Sequence, residues 1–372
     1  MGVIAIPNKF DTKHYVPILR WKKAERAALS QLVDGDSARL TPLIELVPDT
    51  FVREDRKGHS EKLNSSSVIS KVAGQLFQCW ERRPFFIDLG NLPEEILYQG
   101  PSHSLVVFGE YASNLRLSLI PVIGIHRDDR YKTAVRTVSR KFNQGACLRL
   151  TLEDIKRPGL DKAVSDILSF LSITPEEVDL LIDYQGIDGI DSSAPTFTAL
   201  CSLIPNLQQW RNFIAAGGAF PKDLSGLQKN QKYVLSRNDW IIWRNQTTIK
   251  VSSGRMPSYS DYTIQHAYYS KSPGKLRSSA SIRYTTDDNW IIMRGEDVFN
   301  PDGPRFKQYP DWAILLCDLP EYRGEAYSSG DKYIKEMSQQ STKTGDASTW
   351  LQAGINHHMT FVVDQLANLR GS

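Results

Sequence analysis

Seven short apolar segments, each followed by a helix-like stretch, recur every 26–43 residues along the first 218 positions of this chain. They are residues 15–20 (YVPILR), 41–47 (TPLIELV), 84–89 (PFFIDL), 119–125 (LIPVIGI), 146–152 (ACLRLTL), 178–184 (VDLLIDY) and 212–218 (NFIAAGG). Alternating strand and helix builds a parallel sheet, because a parallel crossover needs a connection long enough to hold a helix. About eight such units close a barrel, and a barrel of roughly 250 residues plus an appendage suits the length of this chain. The expected fold is therefore α/β, a (β/α)8 TIM-like barrel with a C-terminal aromatic-rich insertion containing a β-hairpin. The eighth strand is expected at residues 261–266 (DYTIQH), and the hairpin at 281–284 (SIRY) and 290–293 (WIIM). On this division residues 1–266 form the barrel, 267–345 an insertion or lid, and 346–372 a closing helix with its apolar positions between 350 and 369.

Helical spacing of apolar residues predicts helices over 22–32, 65–80, 103–115, 131–142, 160–171 and 193–210, with 221–244 covering the seventh strand. Residues 49–64 (DTFVREDRKGHSEKLN) read as a charged loop after strand two, on the rim where a barrel keeps its chemistry. The four cysteines, Cys79, Cys147, Cys201 and Cys317, stand far apart and read as free thiols in a reducing cytoplasm. The N-terminus lacks a basic region followed by a long apolar run, and no stretch approaches transmembrane length, so a cytoplasmic protein is expected. A net charge of +3 demands no nucleic-acid partner, though local basic patches leave that question open.

In a parallel barrel the last residues of each strand and the loops after them face the site. Lys22 follows strand one, Glu45 lies near the end of strand two, and Asp88 ends strand three. His126-Arg127-Asp128 follow strand four, Arg149 lies in strand five, Asp183 ends strand six, Gly217-Gly218 close strand seven, and Asp261 starts the expected eighth. Glu45, Asp88, Arg149 and Asp183 interrupt apolar strands, where an ionised group is costly unless paired or solvated in a cleft. They form either an active centre or an internal ion-pair layer. The carboxylates of Glu45, Asp88 and Asp183 suit a hard cation such as Mg²⁺, or acid–base work. Lys22, Arg149, Arg283 and Arg294 suit an anionic group, and open N–H groups at Gly217-Gly218 would add to its grip.

Motifs for nucleophiles, Walker loops, zincins and dinucleotide folds are absent. The triplet His126-Arg127-Asp128 spells a kinase catalytic-loop word without the rest of that signature. His357 and His358 are adjacent on a helix and point about 100° apart, so they cannot grip one ion together. Beyond residue 260, Tyr262, Tyr284, Trp290, Trp312, Tyr322, Tyr327 and Trp350 alternate with Arg283, Arg294, Arg305 and Arg323. Such a mixture stacks on ligand rings, or else forms a satellite core with its arginines snorkelling.

Several words in this region are familiar. Ser329-Gly330-Asp331-Lys332-Tyr333-Ile334, Gly345-Asp346-Ala347-Ser348-Thr349-Trp350 and Asn356-His357-His358 resemble the beta family proteins, named after a phage-encoded beta protein. Ile282-Arg283-Tyr284-Thr285 with Trp290 and Arg294-Gly295, Asp261-Tyr262, and Tyr15-Val16-Pro17-Ile18-Leu19 with Lys22, Glu25 and Ala28-Leu29 extend the resemblance over the chain. Ser329 departs from it, standing where an aromatic residue is expected. The resemblance implies a setting in phage–host conflict and adds Arg283, Arg294, Gly330, Asp331, Trp350, Asn356 and His358 to the candidates; in an enzyme reading His358 would be a proton donor. It implies no reaction.

Two readings follow, beside a third in which the chain is a phage-side inhibitor of host defence. One is an enzyme of antiphage defence acting on a phosphorylated or nucleotide-like substrate, an anionic small molecule. The other is a silent barrel that senses a phage component or docks on an effector encoded beside it, with the aromatic insertion as its interface.

Overall fold

The computed structural model describes residues 9–54, 60–187, 201–248, 254–269, 279–339 and 344–369. In chain order its strands are β1 (Tyr15–Arg20), β2 (Leu43–Glu45), β3 (Val52–Glu54), β4 (Ser60–Lys62), β5 (Phe85–Asp88), β6 (Leu119–Ile123) and β7 (Ala146–Thr151). They continue as β8 (Val178–Gly186), β9 (Asn212–Gly218), β10 (Gln231–Ser236), β11 (Ser258–Asp261), β12 (Ser279–Thr285) and β13 (Asn289–Asp297). Eight of them close an all-parallel barrel in the order β1-β11-β9-β8-β7-β6-β5-β2, with helices around it, as the strand–helix rhythm predicts.

Side chains alternate across each strand, and the alternation sorts the barrel into two cores. Val16, Ile18, Leu43, Phe86, Ile120, Val122, Cys147, Leu181, Ile214 and Ala216 fill the interior. Their neighbours in sequence, such as Leu19, Ile44, Ile87, Leu148, Ile182 and Phe213, pack outward under the helices. Glu45, Asp88, Arg149 and Asp183 are in phase with the inner set, one step nearer the C-terminal rim.

The eighth strand differs from expectation. It is Ser258–Asp261, so Asp261 ends it rather than starting it. Asp261 is in phase with Tyr259 and faces outward, while Tyr262 takes the inward position. A shift of this kind exchanges the two faces of a strand. The expected helix over 221–244 is also corrected: Gln231–Ser236 is an edge strand and only Asn238–Thr248 is helical. Residues 193–200 of the helix expected at 193–210 lie outside the described residues, and residues 201–210 are chiefly turns. Within the charged segment after β2, β3 and β4 pair as a two-stranded antiparallel arm.

The hairpin β12–β13 forms and is joined by β10, giving a three-stranded antiparallel sheet. Along β13, Trp290 and Ile292 pack on the barrel's outer core, while Ile291 and Met293 join a second core. That second core includes Tyr284, Tyr309, Ile334, Met337 and Trp350. The Trp350 ring stacks on Tyr309 with centroids 5.0 Å apart, and its Nε1–H donates to the Thr344 carbonyl at 2.8 Å. The helix Ala347–Ala367 packs against β1, β12 and the helix Lys23–Ser30. Among the described residues no helix is long and apolar enough to cross a membrane.

Candidate active site

Arg149 rises from β7 into the barrel mouth and engages all five of its N–H donors. Nε donates to Asp183 Oδ2 at 3.0 Å, and Nη2 to the same oxygen at 2.7 Å and to the Tyr262 hydroxyl at 2.9 Å. Nη1 donates to Glu45 Oε1 and to Asp88 Oδ2, each at 2.8 Å. The Tyr262 hydroxyl donates in turn to Asp183 Oδ2 at 2.6 Å. Four polar residues from four barrel strands therefore do converge, with Tyr262 added from the end of β11.

Two further guanidiniums complete the layer. Arg127 lies 3.4 Å from Asp88 Oδ1, which also accepts the Gly90 N–H at 2.7 Å. Arg20, at the end of β1, lies 3.7 Å from Glu45 Oε2 and donates to the carbonyls of His266 and Ala267. Three carboxylates thus face three guanidiniums. Burial pushes the Asp88 carboxyl up, but Arg127, Arg149 and the Gly90 N–H outweigh it and hold it below the usual carboxylate range. Burial, aided by Asp183, raises the Tyr262 phenol well above its ordinary value, so it is a donor here.

This arrangement does not fit Mg²⁺. The cation between the carboxylates is the Arg149 guanidinium, and among the described residues no group of three His, Cys, Asp or Glu side chains is disposed to hold a metal ion. Nor does Arg149 have a donor left for a ligand phosphate. It positions the acids.

Above this layer opens a cavity of about 360 Å³, lined by Glu45, Asp88, Arg149 and Asp183 below and by rim loops at its sides. One wall comes from the loops after β6 and β7. His126 is 72% exposed, and its Nε2 lies 2.6 Å from Oδ1 of Asp154, which is 5% exposed. Asp154 is fixed by a capping box in which its Oδ2 accepts the Thr151 N–H at 2.8 Å, while its Oδ1 accepts no aligned hydrogen bond. Across the barrel, four strands away, the loop after β11 supplies Tyr268, which is 52% exposed, and Tyr269. The Tyr269 hydroxyl donates to Asp49 at 2.6 Å, and Lys22 reaches the same carboxylate at 2.9 Å with its ammonium 5.3 Å from the Tyr269 ring. Lys22 therefore stands at the rim, pinning this wall.

In the sequence the first wall is marked by the word His126-Arg127-Asp128 after strand four. In the kinase-like word, Asp128 is the N-cap of the helix Asp129–Phe142, Arg127 supports Asp88, and His126 faces the cavity.

The remaining candidates lie elsewhere. Gly217 and Gly218 serve close packing rather than an anion cradle: a Cβ on Gly218 would stand 3.1 Å from both Tyr262 Cδ2 and Ala267 Cβ. Gly218→Ala should press on Tyr262 and destabilise the fold by about 1–3 kcal/mol, read as a fall in thermal midpoint. Arg283 donates to the Ile264 carbonyl at 2.8 Å and covers the Phe220 ring, and burial lowers its guanidinium to about 10. Arg294 is buried on β13. Trp290 and Trp350 are buried too, so neither offers an interface.

His358 and Asp261 meet away from the mouth. His358 Nε2 lies 2.9 Å from Asp261 Oδ2, its Nδ1 lies 2.8 Å from Thr285 Oγ1, and both residues are fully buried. His357, on the next face of the helix, pairs with Asp331 Oδ2 at 2.7 Å. Asp331 also accepts from the Tyr284 and Ser328 hydroxyls. Asn356 bridges the Gly330 N–H and the Ala28 carbonyl. Each histidine thus faces its own carboxylate, His358 joining the helix Ala347–Ala367 to the barrel and His357 joining it to the helix Ser329–Ser338, and both also reach Thr285 of the appended sheet. None of these residues lines the cavity.

The C-terminal words of the family resemblance therefore mark this junction, between barrel and C-terminal elements, while Tyr262 and Lys22, which also carry the resemblance, belong to the mouth and its rim. Comparison with curated proteins finds no match. A family model described as Beta protein matches residues 15–364, from the first barrel strand into the helix that carries both histidines. The match takes in nearly the whole chain, and the protein belongs to the Beta protein family.

Proposed function

We propose that this barrel is an enzyme acting on an anionic, ring-bearing small molecule, of the phosphorylated or nucleotide-like class, in phage–host conflict. The observation that carries the reading is the exposed His126 imidazole beside the buried Asp154 carboxylate on the wall of the mouth cavity. Asp154, 2.6 Å from Nε2, favours the tautomer with its proton on Nε2, which leaves the Nδ1 lone pair to take a proton from an attacking water. Arg127, partly exposed beside it, supplies positive charge for a phosphoryl group. The exposed Tyr268 ring across the mouth supplies a face for stacking. The setting rests on the family resemblance, which also motivates a partner effector encoded nearby.

The test is a screen of nucleotides and sugar phosphates with purified protein, with and without Mg²⁺, followed by ³¹P NMR. His126→Ala should lower turnover of the substrate found by about 10²–10⁴-fold while the protein still binds it. No turnover by the wild type, or full turnover by the variant, rejects the reading. A second reading, ligand sensing without turnover, is favoured by one feature: every N–H of Arg149 is spent inside the protein. Binding of a screened compound without chemical change would select it.

A further inference from the structure

The opposite face of the barrel, where the strands begin, carries a second hollow of about 710 Å³. Three separate segments wall it: residues 9–14 entering β1, residues 37–41 entering β2, and Arg83-Pro84 entering β5. Its inner side is Phe10, whose ring stacks on His14 at 3.9 Å and meets Phe86 of the barrel interior edge-on at 6.4 Å. The Phe10 N–H donates to Asn212 at the foot of β9, which ties this segment across the barrel floor.

The charges around the hollow are unbalanced. Lys9, Lys13, Arg39 and Arg83 line it against a single carboxylate, Asp11. Asp11 Oδ1 is already occupied by the Lys13 N–H at 2.8 Å. Arg83 is held by Asp34 at 2.8 Å and lies 3.7 Å from Glu81, Arg39 acts on Asp36, and Lys13 Nζ rests on the Ala367 carbonyl at 3.3 Å, so these acids outside the lining offset part of the charge. Burial lowers the His14 imidazole to about 4, so it adds a neutral ring, bonded to Thr41 Oγ1, rather than a charge. Four cations drawn from three segments around one concavity repel one another and focus a positive field into it. Such a field is relieved by a bound anion. The Arg39 fork and the two ammonium points, with Arg83 shared with Asp34 and Glu81, suit the several oxygens of linked phosphates better than a lone carboxylate. The volume falls within the roughly 300–1,000 Å³ of small-molecule sites.

We propose that this hollow is a second ligand site, on the face opposite the mouth, that takes a small molecule bearing linked phosphate groups. It is independent of the reading of the mouth.

Isothermal titration of the full chain with inorganic pyrophosphate at low salt tests it. Saturable binding is expected, weakened at least about tenfold when the exposed Lys9 and Arg39 are both changed to Glu. Arg127→Ala, at the mouth, should leave that component unchanged. Amide shifts in the wild type should concentrate on residues 9–14 and 37–41, a readout that needs no substitution. The proposal is overturned by an absence of saturable binding, by binding that survives the double charge reversal, or by shifts confined to the mouth. It is also overturned if a single-stranded oligonucleotide of equal concentration displaces pyrophosphate and binds far more tightly, since the surface would then serve a polymer.

Discussion

Arg149→Ala should destabilise the protein by about 3–5 kcal/mol at pH 7, measured by urea unfolding. The loss comes less from the missing bonds than from what they leave behind. Glu45, Asp88 and Asp183 are nearly inaccessible to water, and their charges would stand together without the guanidinium that separates them. Arg149→Lys should recover little, because an ammonium has three donors and cannot reach three carboxylates and Tyr262 with the geometry of a planar fork. The deficit should narrow on acidification. Asp88 has a depressed folded-state value, so its contribution is present above the ordinary carboxylate value and is lost as pH falls through the depressed one. Without Arg149 that depression shrinks, and the variant loses less on acidification than the wild type does. Adding Glu45→Gln, Asp88→Asn and Asp183→Asn to Arg149→Met should restore much of the stability. A quadruple variant no more stable than Arg149→Ala at pH 7 would contradict this account of the layer.

Asp331→Ala should cost a similar amount, about 3–5 kcal/mol, although it lies far from the mouth in function. Its carboxylate is fully buried and serves His357, Tyr284 and Ser328 together, so its removal strands three polar groups at one junction. Burial pushes the Asp331 carboxyl up, but His357 and the two hydroxyl donors outweigh it and hold it low. Its stabilisation is therefore present above the unfolded-state value and disappears as pH falls below about 4. Asp331→Asn should flatten that acid limb, measured as thermal midpoint against pH. If Asp331 variants kept wild-type stability and lost only activity, the junction would have to be reread as chemistry.

The contrast between these two sites shows what could be recognised from the chain alone. Glu45, Asp88, Arg149 and Asp183 stood out because each breaks an apolar strand, and strand parity placed all four on the inner face. Asp261 was misjudged because its strand was placed three residues late, which reversed the face it presents. His358, Asp331 and Trp350 were drawn in by distinctive words rather than by position, and those words belong to the junction. His126 was legible as a rim residue after strand four, but its partnership with Asp154 joins loops after different strands, and nothing local announces that pairing.

Hydrophobic rhythm alone determined the barrel, since alternating apolar strands and amphipathic helices have few other ways to bury both faces of a parallel sheet. It also determined that charges near the strand ends must find partners. Which partners they found was decided only in three dimensions. Ion pairs and hydrogen bonds act over a few ångströms between residues far apart in sequence, 104 positions for Arg149 and Glu45 and 247 for Arg20 and Ala267. The closed ring of strands brings those residues within reach, and it turned a presumed anion clamp into the cation that holds three acids in place.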